Sequence, residues 1–331
     1  MDYISGWCKS KRRLEGLTAI VTGSNTGIGK ETALDFYMRG ARVIMACRDT
    51  TKAESAKKEI ENAKEGVEGI GTLVVEELNL SQLKSVREFA FRILAKESNI
   101  NILVNNAGVM CCPEGRTEDG FETHMGTNHF GHALLTLLLL PRLKKSAPSR
   151  IVFVSSLMHK SNDVDLDDIN FEKKRYDALD AYSRSKGANV LYAKALGIKL
   201  KEHNINNVMT YSLHPGVINT EIGRHFSDTL LTGGTWLFKY IIGFFAKTPR
   251  CGAQTTIYCS VDESCAEQSG LYYADCRVAP TSKQCKDEEI PAKFFDITTE
   301  LLKLKKYDPF GDKDPERSLF EISNREKRIS V

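Results

Sequence analysis

Tyr182 and Lys186 stand four residues apart in the stretch DAYSRSKGAN, residues 180–189. In a helix that spacing puts both side chains on one face, about 5–6 Å apart at Cβ. Free tyrosine, with a pKa of about 10, is a poor base near neutrality. A neighbouring ammonium stabilises the phenolate and brings its pKa toward the range where a proton can be exchanged with a reacting hydroxyl. Tyr182 is the only tyrosine of the chain with a lysine four residues later. A chance pair on a helix surface would have the same spacing, so the pair needs company before it means chemistry.

A second candidate lies in VTGSNTGIGKE, residues 21–31. Gly23, Gly27 and Gly29 are spaced G-x-x-x-G-x-G, which is not the common G-x-G-x-x-G dinucleotide fingerprint. The physics is shared: glycines allow a tight turn and close backbone approach, and a helix N-terminus offers free N–H groups to a pyrophosphate. Where a following strand ends, in MACRD (45–49), an acid that would bind an adenosine ribose 2′-hydroxyl is replaced by Cys47 and followed by Arg48. A guanidinium fork suits a phosphate dianion, so NADP(H) is favoured over NAD(H). NAD(H) stays open through Asp49, or if Arg48 only packs over the adenine. Lys30 is a further candidate for the extra phosphate, or an ordinary surface lysine.

The elements that must carry these residues follow from hydrophobic periodicity. Short apolar runs alternate with longer amphipathic ones, as in a parallel sheet covered by helices. LTAIVTG, ARVIMACR, TLVVEEL, INILVNNAG, RIVFVSS and NNVMTYSLHPG read as strands, with SGLYYA near 270 a candidate seventh. KETALDFYMRG, the stretch 50–64 and SQLKSVREFAFRILAK read as helices, the last with Ser81 as its N-cap. The expected architecture is α/β: one doubly wound Rossmann-type domain with a parallel sheet of about seven strands and helices on both faces. Residues 1–14 read as a solvated N-terminal arm, 15–306 as the domain, and 307–331 as a flexible charged tail.

Bulk properties restrict the function. With 46 basic and 43 acidic residues the net charge is +3, too close to neutral to argue for nucleic acid. Nine cysteines without a C-x-x-C spacing suggest neither a disulfide framework nor zinc, and no metal is expected. No secretory signal pattern opens the chain, so reduced thiols in the cytoplasm are the natural reading. No run reaches the roughly 18 apolar residues of a membrane span.

Four motifs in order resemble the short-chain dehydrogenase/reductase family: TGSNTGIG (22–29), NNAG (105–108), YSRSK (182–186) and HPGVINT (214–220). Finer features, ACRD, NNAGVM, DGFETHMGTNHFGHALLT, HPGVINTE and LYYADC, resemble its retinol dehydrogenase branch. The resemblance implies hydride transfer between a carbinol carbon and nicotinamide C4, usually with NADP(H), on retinoids or other lipophilic alcohols and aldehydes. It implies Tyr182 as acid/base and gives Lys186 the second task of holding the nicotinamide ribose. Ser156 would polarise the substrate oxygen, with Ser155 the alternative. Asn128 would bind a water of the proton relay through its backbone, with a helix-packing amide the plain alternative. Cofactor contacts are implied for Gly23, Asn25, Thr26, Gly27, Ile28, Gly29, Arg48, Asn106, Ala107, Gly108, Val217 and Thr220. The adenine would meet Asn79 and Leu80, where Asn79 replaces the family's usual aspartate and can still accept a hydrogen bond. His124, His129 and His132 read as helix or pocket residues and His214 as structural. The stretch 162–180 looks like an inserted loop.

Substrate specificity in the family resides after the sixth strand, here an aromatic segment at about 218–250 that includes Phe226 and Trp236. Its composition suits a lid over a hydrophobic pocket, a membrane-interface helix or plain packing. A small lipophilic substrate is expected, with farnesol-type isoprenoids or steroids as alternatives to retinol/retinal. A non-catalytic NADP(H)-binding sensor is the contrasting class. Homodimerisation stays open. So does peripheral contact with an endoplasmic-reticulum or lipid-droplet membrane, which a substrate that partitions into membranes would favour; as a departure, branch members often carry an N-terminal anchor and this sequence starts almost directly at the first strand.

Overall fold

The computed structural model describes residues 2, 5–218, 247–304 and 307–311. The first apolar run forms β1 (Thr18–Thr22), buried at every position as a strand covered on both faces must be. The other strands are β2 (Arg42–Cys47), β3 (Thr72–Glu77), β4 (Ile102–Asn105), β5 (Ser149–Val154), β6 (Val208–His214), β7 (Leu271–Ala274) and β8 (Arg277–Val278). They make one sheet in the order β3-β2-β1-β4-β5-β6-β7-β8. Pairing is parallel from β3 to β7, and β8 runs antiparallel to β7. The eighth strand was not expected from sequence. It exists because Asp275 and Cys276 both take positive φ, 49° and 55°, which closes a two-residue hairpin with the twist such hairpins need.

The main helices are α1 (Gly27–Met38), α2 (Thr50–Asn62), α3 (Leu83–Lys96), α4 (Gly131–Lys145), α5 (Ala178–Glu202), α6 (Pro249–Val261) and, after the last strand, α7 (Ile290–Leu301). Helices cover both faces. Phe89 of α3, the leucines of α4, Leu191 and Leu196 of α5 and Phe294 of α7 build one apolar layer. Phe36 of α1, Ile60 of α2 and Ile257 of α6 build the other. The chain reverses its direction of strand addition between β1 and β4, and the crevice at the carboxyl ends of those strands is where open α/β sheets hold ligands.

Three expectations are corrected. Ser81 does not cap α3: its hydroxyl donates to Asn79 Oδ1 (2.8 Å), and Asp119 from a later loop accepts the Leu83 N–H (2.8 Å) instead. The arm lies on the domain, with Leu14 fully buried and Arg39 Nη1 donating to the carbonyls of Ser10 (3.0 Å) and Arg12 (2.9 Å). Residues 307–311, expected in the flexible tail, lie on the domain: the Phe310 ring stacks on His203 (4.6 Å) and Lys144 Nζ donates to the carbonyl of Gly311 (2.8 Å). No described helix is long and apolar enough to cross a membrane.

Candidate active site

At the carboxyl end of β1 the chain turns into α1 through Gly23 (φ 64°) and Gly27 (φ 54°). A Cβ on Gly29 would lie 2.3 Å from the Gly23 carbonyl oxygen and 2.6 Å from Asn106 Nδ2, so only glycine fits where this turn, α1 and the β4 end meet. Thr26 precedes α1 without a side-chain cap, which leaves first-turn N–H groups for an anion. Asn25, Thr26, Gly27 and Ile28 form the partly exposed rim of this cradle. The residues present therefore fit a pyrophosphate. Gly29→Ala is expected to destabilise the fold by about 1–3 kcal/mol through overpacking. It should also weaken dinucleotide binding, both read by thermal melting with and without NADPH.

At the end of β2, Asp49 turns its carboxylate onto its own helix and caps α2 by accepting the Lys52 N–H (2.9 Å). Lys30 is committed to an ion pair with Glu59. Arg48 is exposed beside them and forms no ion pair with a described residue. Asn79 spends its side-chain oxygen on the N–H (3.2 Å) and hydroxyl (2.8 Å) of Ser81, so the acceptor expected to face adenine is already in use. Leu80 is buried, with its carbonyl against Gly131.

The NNAG stretch is stapled to β1. Asn106 Nδ2 donates to the Thr22 carbonyl (2.8 Å), and the N–H groups of Asn106 and Ala107 both donate to Thr22 Oγ1 (2.9 Å each). Asn105 donates to Thr136 Oγ1 (3.0 Å) and so ties β4 to α4. A Cβ on Gly108 would sit 3.2 Å from Asn128 Oδ1 and 3.3 Å from Lys186 Nζ, which brings this stretch to the catalytic candidates.

Tyr182 and Lys186 lie in the first half of α5, 5% and 2% exposed. Lys186 Nζ is 5.8 Å from the Tyr182 ring centroid and donates to the Val154 carbonyl (3.0 Å). Burial pushes the Tyr182 phenol up to about 12, while a hydrogen bond with Ser156 pulls it down. Burial brings Lys186 down to about 8. In the protein alone the phenol keeps its proton at neutral pH, and the ammonium is close to giving one up. The two serines at the end of β5 separate cleanly. Ser155 is buried and donates to the Lys186 carbonyl (2.7 Å), whereas Ser156 is partly exposed and hydrogen-bonded to Tyr182.

A π-type turn (Met125–Phe130) precedes α4 and carries Asn128, as an interrupted helix should. Asn128 is fully buried. Its amide clamps Val109, accepting the N–H (2.7 Å) and donating to the carbonyl (2.9 Å), and also donates to Ser185 Oγ (2.9 Å). Its carbonyl faces His132 Nδ1 (3.0 Å). His129 points away, to Asn189 and to Thr298 of α7. His214 is structural as expected: burial brings it down to about 4, and its Nδ1 accepts the N–H groups of Leu157 (3.1 Å) and Gly216 (3.4 Å). That links the Ser156 loop to the β6 end.

The inserted loop is ordered by Asp168, which accepts the N–H groups of Glu172 (2.6 Å), Lys173 (3.1 Å) and Lys174 (2.9 Å). Arg184 pairs with Asp180 (2.6 Å) and lies over the Phe171 ring (4.2 Å). A cleft of about 250 Å³ opens between this loop and residues 114–122. Its lining residues, Tyr176 and Glu122 among them, were not singled out by sequence. Tyr176 donates to the Cys112 carbonyl (2.8 Å), and Glu122 holds His124 Nδ1 (2.8 Å), whose ring meets Tyr182 edge-on at 6.2 Å. Of the remaining candidates, Val217 is half exposed at the β6 end, while Thr220, Phe226 and Trp236 lie outside the described residues.

Comparison with known proteins agrees with this geometry. The family model described as short chain dehydrogenase matches residues 17–230. Retinol dehydrogenase 11 of Homo sapiens is 46% identical over 300 residues, covering 91% of this chain and 90% of that protein. Retinol dehydrogenase 12 of Homo sapiens is 43% identical over 303 residues, covering 92% of each. Among solved structures, an uncharacterised protein of Mycobacterium paratuberculosis superposes with a TM-score of 0.71 at 31% identity, covering 90% of this chain and 98% of its own. The Pseudomonas aeruginosa RhlG/NADP complex reaches a TM-score of 0.61 at 22% identity, with 78% and 94% covered, and speaks for the fold alone. A single family match across the cradle, the stapled NNAG stretch and the tyrosine–lysine helix, joined by relatives spanning nine-tenths of the chain, means that the chain belongs to the short-chain dehydrogenase family, in its retinol dehydrogenase branch.

Proposed function

We propose that the protein is an NADP(H)-dependent oxidoreductase that interconverts a lipophilic alcohol and its aldehyde or ketone, with a retinol/retinaldehyde-like compound as substrate. The observation that carries this reading is the meeting of Tyr182, Lys186 and Ser156 in a partly enclosed site beside the glycine cradle. Bound in that cradle, the dinucleotide supplies the hydride donor or acceptor at its nicotinamide C4. Ser156 and Tyr182 hydrogen-bond the substrate oxygen, and the Tyr182 phenol delivers its proton to that oxygen in reduction or receives one in oxidation. Lys186, still charged below about pH 8, stabilises the phenolate that forms. Asn128 holds the backbone at Val109 and keeps its side-chain oxygen near the lysine end of the site.

Arg48 supports NADP(H), because among the described residues it is an exposed cation at the end of β2 with no ion-pair partner, while Asp49 caps α2 and Lys30 pairs with Glu59. Arg48→Ala is expected to lower kcat/KM for NADPH by roughly 10- to 100-fold, the worth of a charge-assisted hydrogen bond of about 1.5–3 kcal/mol, and to leave NADH unchanged. The relatives' names point to retinol, and the half-exposed Leu157, next to Ser156, and Val217, at the end of β6, offer apolar contact to such a substrate. Turnover of all-trans-retinaldehyde, farnesal and a steroid ketone by the purified protein, each with NADPH and NADH, tests the reading. Retinaldehyde with NADPH should be the best pair. Dinucleotide binding with no turnover on any of the three would favour a sensor instead.

A further inference from the structure

Beneath the catalytic pair lies a buried polar chain that the proposed reaction does not use directly, and His132 is its centre. His132 sits in the first turn of α4 with no exposed surface. Its Nε2 is 2.9 Å from Thr22 Oγ1 and its Nδ1 is 3.0 Å from the Asn128 carbonyl oxygen. Thr22 Oγ1 already accepts two N–H groups, from Asn106 and Ala107, both at 2.9 Å. A hydroxyl whose two lone pairs are filled has only its proton left to give. Two acceptors are in reach, the Val104 carbonyl at 3.4 Å and His132 Nε2 at 2.9 Å, and the shorter contact takes the proton. Nε2 is therefore the acceptor, and Nδ1 carries the ring proton and donates it to the Asn128 carbonyl.

One proton arrangement satisfies every member. Burial, helped by the nearby Lys186 charge, brings His132 down to about 3, so the ring stays neutral and the arrangement persists across physiological pH. The chain continues past Asn128. Asn128 Nδ2 donates to Ser185 Oγ (2.9 Å), which donates to the Tyr182 carbonyl (2.7 Å). A path of hydrogen bonds thus runs from the end of β1, where the NNAG backbone is stapled, to the turn of α5 that carries Tyr182.

We propose that His132 is a positioning residue that couples the dinucleotide cradle to the proton-handling face. It does so by holding the Thr22 hydroxyl and the Asn128 carbonyl in a single hydrogen-bond arrangement. The proposal rests on the dinucleotide-binding part of the reading above and is independent of the substrate. His132 touches neither partner of the reaction and acts through Thr22 and Asn128.

Two substitutions separate positioning from packing. Leucine nearly matches histidine in volume but can neither accept nor donate. Glutamine can do both, at the expense of a less compact fit. If His132 positions, His132→Leu weakens NADPH binding and lowers kcat, each by about tenfold, from a lost hydrogen bond and an orphaned buried group. His132→Gln then stays within about threefold of wild type on the same scale. If His132 only packs, the order reverses. NADPH binding is read by nicotinamide fluorescence without any carbonyl present, so failure of the substrate assignment leaves this arm intact. Amide exchange of the peptide covering 104–109 should speed up in the leucine variant alone. The wild-type protein provides a reading that needs no folded leucine variant. Its ¹⁵N-labelled imidazole, assigned by the signal lost in His132→Gln, should be the neutral Nδ1–H tautomer from pH 5.5 to 8. An Nε2–H tautomer, a titrating ring, or a leucine variant that outperforms glutamine would each overturn the proposal.

Discussion

Replacing Tyr182 with phenylalanine is expected to cut kcat for carbonyl reduction by about 10²–10⁴-fold, the range over which a positioned acid contributes. NADPH affinity should hold within about twofold, since the lost hydroxyl lies on the substrate side of the site. The argument rests on local geometry. The phenol is 5% exposed, hydrogen-bonded to Ser156 and raised to about 12 by burial, so near neutrality it is a loaded proton donor. Phenylalanine keeps the ring, its edge-on contact with His124 and the packing of α5, and removes only the hydroxyl with its proton. Steady-state kinetics with an NADPH-binding control checks this. Turnover within tenfold of wild type would mean that another group delivers the proton.

Lys186→Met is expected to lose activity while gaining stability. The side chain is 2% exposed and its ammonium falls from 10.5 to about 8 because burial penalises the charged form. A lysine depressed in the folded state binds fewer protons than in the unfolded chain between those two values, so stability rises with pH across that window. Below about pH 8 the penalty is at its full size, which a drop of that extent puts at up to about 3 kcal/mol. Methionine removes the penalty along with the hydrogen bond to the Val154 carbonyl, and the net effect at pH 7 should be a melting temperature several degrees higher. Activity should fall at least about 10²-fold, because the phenolate left by Tyr182 loses its stabilising charge. The same charge shapes the wild-type pH profile, with the reduction rate declining as pH rises through about 8. A lysine variant with unchanged melting at pH 7 and a normal rate would contradict both halves.

Local features were the legible ones. Tyr182 and Lys186 share one helix face by arithmetic alone, and the strand-to-helix turn is written in Gly23 and Gly27, whose backbone angles only glycine adopts easily, and in Gly29, where a Cβ would clash. The alternation of buried strands with amphipathic helices set the doubly wound sheet. What stayed hidden depends on partners distant in sequence. Ser155 and Ser156 are neighbours of the same type, and only the packing of α5 against β5 sends one to the Lys186 backbone and the other to Tyr182. Ser81 had the right residue type for a cap, but Asp119, 36 positions from Leu83, outcompetes it. Asn79 had a free acceptor on paper and spends it locally on Ser81. His132 looked like one of three clustered histidines, and its importance depends on Thr22, 110 residues away. The short hairpin β7–β8 needed two non-glycine residues at positive φ, for which Asp-Cys is a poor advertisement.

The reaction itself is tested most directly by isotope transfer. The purified protein is given NADPH deuterated at nicotinamide C4 in either face together with all-trans-retinaldehyde, and the alcohol formed is examined by mass spectrometry. One of the two labelled forms should deliver one deuterium to the carbinol carbon of each product molecule, and Tyr182→Phe should abolish that product. Retinol formed without deuterium from either form, or no retinol while NADPH is consumed, would contradict hydride transfer to this substrate at the Tyr182–Lys186 site.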